Sequence, residues 1–266
     1  MRKLQTSGIV AALAWAVLSF LALPAFIVIP VSFTDTRYLS LPEEGLSLQH
    51  WETFLTSSEW LSSIWESFWI ATVSTAMAVM AGTLCAIGCW RLSSRMSERV
   101  RSAMILPLAV PTIVYALGIY RLYVELDLVG TALGVVLAHT VTGLPYVVLA
   151  TSASLSNLDP RLEQAARGLG ASVGQTLRHV IVPNIVPGIL SGAIFAFIHS
   201  WDELLVVIFI GGRALFTLPR RMWDGINDNL DPVIAVVATA LILFTLLVLT
   251  AELSLRARRQ QDAPSA

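Results

Sequence analysis

A single lysine, Lys3, stands among 266 residues. The common phosphate-cradling loop needs glycine-rich backbone followed by Lys and then Ser or Thr. No such stretch is present, so the chain is not expected to bind ATP by that route. Cysteine is nearly as scarce. Cys85 and Cys89 stand four apart, which places them on one helix face, but two thiols make no zinc site. They read as free buried cysteines. The four histidines, His50, His139, His179 and His199, are scattered and form no HExxH or metal-spaced cluster. His139 lies inside an apolar run and reads as a hydrogen-bonded core residue rather than a proton relay. A Gly-x-Ser-x-Gly elbow is missing too, and no convincing pair of catalytic carboxylates is found. No catalytic residue and no metal ligand is therefore assigned, and a hydrolytic enzyme is not expected.

Charge is the other scarcity. Only 13% of residues are charged, against 56% hydrophobic, a balance foreign to soluble domains. Six runs carry no Asp, Glu, Lys or Arg: residues 4–34, 67–90, 102–120, 128–158, 180–201 and 232–251. Each is near or above the roughly 20 residues that cross a hydrocarbon core as a helix. In lipid, backbone groups must be satisfied within the segment, so helices are expected. A soluble bundle fails, because six wholly apolar helices could not all be core. The first run is longer than a signal-peptide core and no clear cleavage site follows it, so it reads as a retained span. The expected fold is an all-α integral membrane protein of six transmembrane helices.

The basic residues set the expected orientation. Twelve fall on one side: Arg2, Lys3, Arg91, Arg95, Arg99, Arg101, Arg161, Arg167, Arg178, Arg256, Arg258 and Arg259. Five fall on the other: Arg37, Arg121, Arg213, Arg220 and Arg221. The side with twelve marks the cytoplasm, which puts both termini inside a multi-pass protein of the cell (inner) membrane. The net charge of −1 says nothing about partners, and no nucleic acid is expected among them.

Between the fourth and fifth runs lies "DPRLEQAARGLGASVGQTLRHVIVP", residues 159–183. Asp159 followed by Pro160 predicts a capped helix start. The helix over 161–169 carries the small Ala165 and Ala166, and Gly168 and Gly170 are expected to end it. Ser172 and Gln175 form a capping-box pattern that starts a second helix, and Pro183 and Pro187 mark the entry to span five. A small-residue helix of this kind either docks another protein or tidies a surface loop.

These residues resemble the permease subunits of bacterial ABC importers of the type I, EAA-motif family. The family pattern is Glu-Ala-Ala, three residues, Gly, nine residues, Ile-x-Leu-Pro. Here it reads Gln164-Ala165-Ala166, Gly170, then Val180-x-Val182-Pro183 at matching spacing. The departures are Gln164 for Glu, Val for Ile and Leu, and Gly168 where many relatives have Asp. The resemblance implies that Gln164, Ala165, Ala166, Leu169 and Gly170 belong to a coupling helix that seats in a groove of an ATP-hydrolysing subunit. It continues from about Ser58 to the C-terminus. "SWDELLVVIFIGG" (200–212), "TLPRRMWDGI" (217–226) and "DPVIAVVATALIL" (231–243) look like the spermidine/putrescine branch.

The resemblance implies a MetI-like core, with 1–57 as N-terminal span and first outer loop, 58–255 as importer transmembrane domain and 256–266 as cytoplasmic tail. It also implies a second homologous permease, two ATP-binding cassette subunits that hold ATP and Mg, and a periplasmic or extracellular solute-binding protein, all in membrane lipid. No cofactor is expected on this chain. The substrate implied is a polyamine. Alternatives are another small solute (an amino acid derivative, opine or phosphonate) on the same machinery, or an ion-coupled carrier, for which neither inverted repeats nor a mid-span carboxylate are found. A non-transporting scaffold is a third reading.

Transporter ligands often bind where helices break. Span five invites that reading, because its apolar stretch resumes after "HSWDE". Twenty residues from Pro183 to Glu203 span about 30 Å of helix, which puts Trp201, Asp202 and Glu203 in the outer half of the membrane or at its rim. The two acids either face a cavity or sit solvated in an outer loop. Glu66, just inside span two, is another candidate for the path, although solvation is the commoner state of such an interfacial residue. Trp201 and Trp223 could stack on a cation, although membrane anchoring is the commoner role. Asp35, Glu43, Glu44, Glu52 and Glu59 before span two, and Asp224, Asp228 and Asp231 after span five, are placed in outer loops that either favour a cation or a basic patch on the binding protein, or have no role in transport.

Overall fold

The computed structural model describes residues 2–228 and 230–261. Helices account for the secondary structure of these residues: α1 (Arg2–Val31), α2 (Gln49–Thr56), α3 (Ser58–Leu92), α4 (Arg95–Ile105), α5 (Thr112–Glu125), α6 (Ala132–Ser156), α7 (Pro160–Gly168), α8 (Val173–Thr176), α9 (Val182–Asp202), α10 (Leu205–Ile210), α11 (Leu218–Asp228) and α12 (Val233–Gln261). Four described helical stretches are long and apolar enough to cross a membrane: Val10–Val31, Ser58–Leu92, Ala132–Ser156 and Val173–Asp202. A fifth exists if α4 and α5 count as one broken span, and Val233–Leu247 adds a shorter apolar helix. Of the expected tail 256–266, residues up to Gln261 continue α12 and 262–266 lie outside the described residues.

The third apolar run departs from the single helix expected over 102–120. Its two halves meet at 109°. A 3₁₀ turn, Leu106–Ala109, follows α4, and Val110 is extended at ψ 124° before Pro111. Proline disfavours the helical conformation in the residue before it, and here Val110 is extended, so the break falls at Pro111.

Two compact units divide the chain, residues 62–221 and residues 1–61 with 222–266. In the larger unit, α6 and α9 run side by side. Gly188, Gly192 and Ala196 repeat every four residues along one face of α9 and are buried, the small-residue spacing that lets membrane helices approach closely. Ala78, Val147 and Ala196 form one buried cluster, and Ala86, Ile87, Leu155, Leu158, Ile181 and Ile185 another. A third gathers Ile70, Val135, Val136, Val206, Val207 and Ile210. Two polar contacts join helices here: Tyr115 donates to the Ala138 carbonyl at 3.1 Å, and His139 Nδ1 lies 2.7 Å from Ser200 Oγ. His139 is 1% exposed, the core residue expected.

Glu66 departs from the solvated role expected of it. Its carboxylate accepts from the Phe216 amide at 2.8 Å, and next to it Ser67 Oγ accepts from the Leu218 amide at 2.7 Å. The expectation missed this because the partners lie 150 residues away in the chain. In the smaller unit, α1 and α2 pack on α12. The loop between α1 and α2 is pinned by Asp35, whose two carboxylate oxygens accept from the Glu43 and Glu44 amides. Phe33 stacks on Trp51 at 5.8 Å.

Candidate functional site

Two regions of the larger unit bear on function: the polar helix α7, and a groove at the far end of α9. Asp159 Oδ1 accepts from the Arg161 amide at 2.9 Å and Pro160 occupies the first turn, so α7 starts as the sequence predicts. Its end differs. Gly168 stays helical, and Gly170 alone takes the left-handed conformation, at φ +88°. Ser172 and Gln175 close the predicted capping box.

The second helix is not a separate element. α8 passes through a π turn, Leu177–Ile181, directly into α9, giving one helical rod over Val173–Asp202. Pro183 therefore lies inside the rod, where a missing amide and a ring crowding the carbonyl four residues back would break an α-helix. The wide turn just before it re-pairs the backbone: the Val182 amide bonds the Leu177 carbonyl, five residues back.

No residue of α7 is buried. Gln164, Ala165 and Gly170 are exposed, Ala166 is half-buried, and Leu169 stands 90% exposed. Leu169 is thus an exposed apolar side chain on the same short segment as the small Ala165 and Ala166. On its other side α7 is tied to the last turn of α3, where Arg91 Nη2 donates to Glu163 Oε1 at 2.6 Å. The sequence held both residues, but nothing in it signalled that pairing.

At the opposite end of the rod, α9 stops at Asp202 because Glu203 is extended, with ψ 116°. Glu203 is buried, and its Oε1 accepts from the Leu205 and Val206 amides at 2.9 and 3.2 Å, which caps α10. A groove of about 440 Å³ opens here, lined by Thr112, Tyr146, Phe195, Ile198, His199, Asp202 and Glu203. Asp202 is exposed. The His199 ring lies 5.2 Å from that of Tyr146, and its buried Nε2 has no hydrogen-bond partner. Trp201, grouped with the two acids in the sequence, is not among the lining residues; it stacks on Phe197 at 6.0 Å. Thr112 and Tyr146 were not singled out by sequence reasoning, and His199 was only one of four scattered histidines, because only the packing of α6 against α9 and of α5 against α10 brings them together. No group of three or more His, Cys, Asp or Glu that could hold a metal occurs among the described residues.

Apolar helices packed through small residues, an exposed polar helix at one end and an acid-bearing groove at the other define a membrane permease. Residues 78–257 match the family described as binding-protein-dependent transport system inner membrane component, and the chain belongs to that family. The spermidine/putrescine transport system permease protein PotC of Haemophilus influenzae is 30% identical over 235 residues, covering 87% of this chain and 90% of the relative. The putrescine transport system permease protein PotI of Escherichia coli K12 is 27% identical over 231 residues, covering 84% of this chain and 82% of the relative. Among solved structures, the crystal structure of an amino acid ABC transporter with histidines matches at TM-score 0.58 and 20% identity, over 81% of this chain and 99% of that one. The chain thus has the all-helical fold of an ABC importer permease.

Proposed function

We propose that this chain is the permease subunit of an ATP-driven importer for a small organic cation of the polyamine type. It would cross the membrane six times with both termini in the cytoplasm, counting α4–α5 and α12 as spans; the twelve-to-five division of basic residues supports this orientation. Its partners would be a second, homologous permease, two ATP-binding cassette subunits that bind and hydrolyse ATP with Mg, and a solute-binding protein that delivers substrate from outside. The exposed strip of Leu190, Ile194, Phe195 and Ile198 beside the groove supports a second permease as the missing wall.

The observation that carries this reading is one unbroken helical rod with α7 and its exposed Leu169 at one end and the Asp202 groove at the other. Force applied by an ATPase to Gln164, Ala165, Ala166, Leu169 and Gly170 would reach the groove through a rigid element. The groove suits a cation. An ammonium group in a low-dielectric path needs negative charge nearby, and one contact at 4 Å is worth about 4 kcal/mol at an effective dielectric near 20, before desolvation. Asp202 supplies that charge at the groove, while Glu203 is engaged in holding α10. The names of the relatives support a polyamine as the cation.

The test is ATP-driven accumulation of labelled spermidine and putrescine in proteoliposomes holding the purified complex, with saturating binding protein. Accumulation that requires ATP on the α7 side is expected. ATP-dependent uptake of a neutral or anionic solute, with none of either polyamine, would overturn the substrate class. Uptake of any solute driven by an ion gradient without ATP would overturn the importer.

A further inference from the structure

We propose that the ion pair between Arg91 and Glu163 is a positioning element that fixes α7 to the end of α3, so that a push on α7 moves α3 together with the α8–α9 rod. The proposal rests on the reading of α7 as the ATPase-facing helix.

A nine-residue helix that buries none of its residues has little to hold it in one orientation. Its chain connection on one side runs through the left-handed turn at Gly170. The Arg91–Glu163 contact bridges 72 residues of sequence and joins α7 to an element that the rod itself does not include. Both charges sit where their own helices favour them. Arg91 is in the last turn of α3, among the free carbonyls, and Glu163 is in the first turn of α7, among the free amides. The side chains are only 25% and 21% exposed, so salt screens the pair less than a surface pair. Trp90 and Pro160 line the same cleft. Arg91 Nε is buried without a partner. Removing Glu163 alone would leave the partly buried guanidinium without its carboxylate, so a single variant mixes loss of the pair with the cost of an uncompensated charge. The decisive variant is therefore the exchange of charges.

The experiment measures spermidine imported per ATP hydrolysed by the assembled complex in proteoliposomes, together with the amount of ATPase that co-purifies. Arg91→Gln and Glu163→Gln are each expected to lower the transport-to-hydrolysis ratio at least threefold while the ATPase still co-purifies. The double variant Arg91→Glu with Glu163→Arg is expected to recover at least half of the loss. A pair that only stabilised the fold would change yield and leave the ratio alone. Single variants with the wild-type ratio would overturn the proposal, as would an exchanged pair no better than the worse single variant. Should the single variants fail to assemble, the exchanged pair decides by the same criterion. Ala165→Trp runs alongside. If it lowers the ratio while the Arg91 and Glu163 variants do not, the positioning role alone falls. If it too leaves the ratio unchanged, the docking reading falls with it.

Discussion

Gly192 of α9 lies so close to α6 that a methyl group on its Cα would come within 2.8 Å of the Cα of Val147. Gly188, one turn earlier, leaves even less room: a methyl group added there would come within 2.2 Å of Ser154 Oγ and 2.7 Å of the Ala150 carbonyl oxygen. Backbone cannot step aside as a flexible side chain can. Gly192→Val is therefore expected to cost about 1–3 kcal/mol through overpacking and to lower the melting temperature of the detergent-purified protein. Gly118→Ala, where an added Cβ meets nothing within 4 Å, serves as the control and should melt at or slightly above the wild type, because alanine favours a helix interior over glycine. Equal melting of the two variants would mean that α6 and α9 pack differently.

Ala165 and Gly170 test the docking face. A tryptophan at exposed Ala165 has space in the isolated chain and would collide only with a partner. Ala165→Trp should reduce co-purification of the ATPase, or uncouple hydrolysis from uptake, without lowering expression. Gly170→Val strains the turn at φ +88° by about 1–3 kcal/mol and should act likewise. Gln164→Glu restores the residue common in the family pattern and should be tolerated. Normal transport by both disruptive variants at normal expression would rule out α7 as the docking element.

Asp202 and Glu203, adjacent in sequence, should respond differently. Asp202→Asn removes an exposed charge at the groove and keeps its shape. Loss of even ~1.4 kcal/mol of net attraction lowers occupancy tenfold, so spermidine uptake should fall about tenfold at subsaturating substrate with assembly intact. Glu203→Gln keeps an oxygen to accept from the Leu205 and Val206 amides and should assemble normally. Glu203→Ala leaves both amides open and should lower yield and melting temperature. Wild-type uptake by Asp202→Asn would remove this carboxylate from the path.

Topology is read by thiol labelling in intact cells, in a background with Cys85 and Cys89 replaced. Single cysteines at Glu44 and Asp228 are expected to react with an impermeant reagent from outside, and one at Ser172 is not. Labelling of the Ser172 position from outside would invert the orientation.

Asp35 gives a pH dependence. The amide of Glu43 above all, with those of Asp35 itself and Glu44, stabilises the carboxylate and holds its pKa below the ordinary 3.8, although partial desolvation opposes this. A group whose pKa is depressed by folding contributes stability above its unfolded pKa and loses it as pH falls through the folded one. Hydrogen exchange at the Glu43 and Glu44 amides should thus be slow at neutral pH, and the protection should fade only below about pH 4. Asp35→Ala should exchange fast throughout. Unchanged protection in that variant would show that the loop is held by other contacts.

The sequence alone determined what local chemistry controls. Continuous apolar runs require helices wherever lipid offers no partner for backbone groups. The start of α7 followed from Asp159 and Pro160, and the start of α8 from Ser172 and Gln175, because caps are contacts between near neighbours. The break after Asp202 was legible as an interruption in hydrophobicity. Tertiary structure decided whatever depends on which helices meet. It gave Glu66 the Phe216 amide, joined Arg91 to Glu163, moved Trp201 away from the acids and onto Phe197, and assembled Tyr146 and His199 beside Asp202. It also merged α8 with α9 through a π turn, a solution to Pro183 that local rules do not choose, since proline forbids one hydrogen bond without saying which replaces it. Spacing along a helix fixes a side chain's face, but only packing fixes what that face meets.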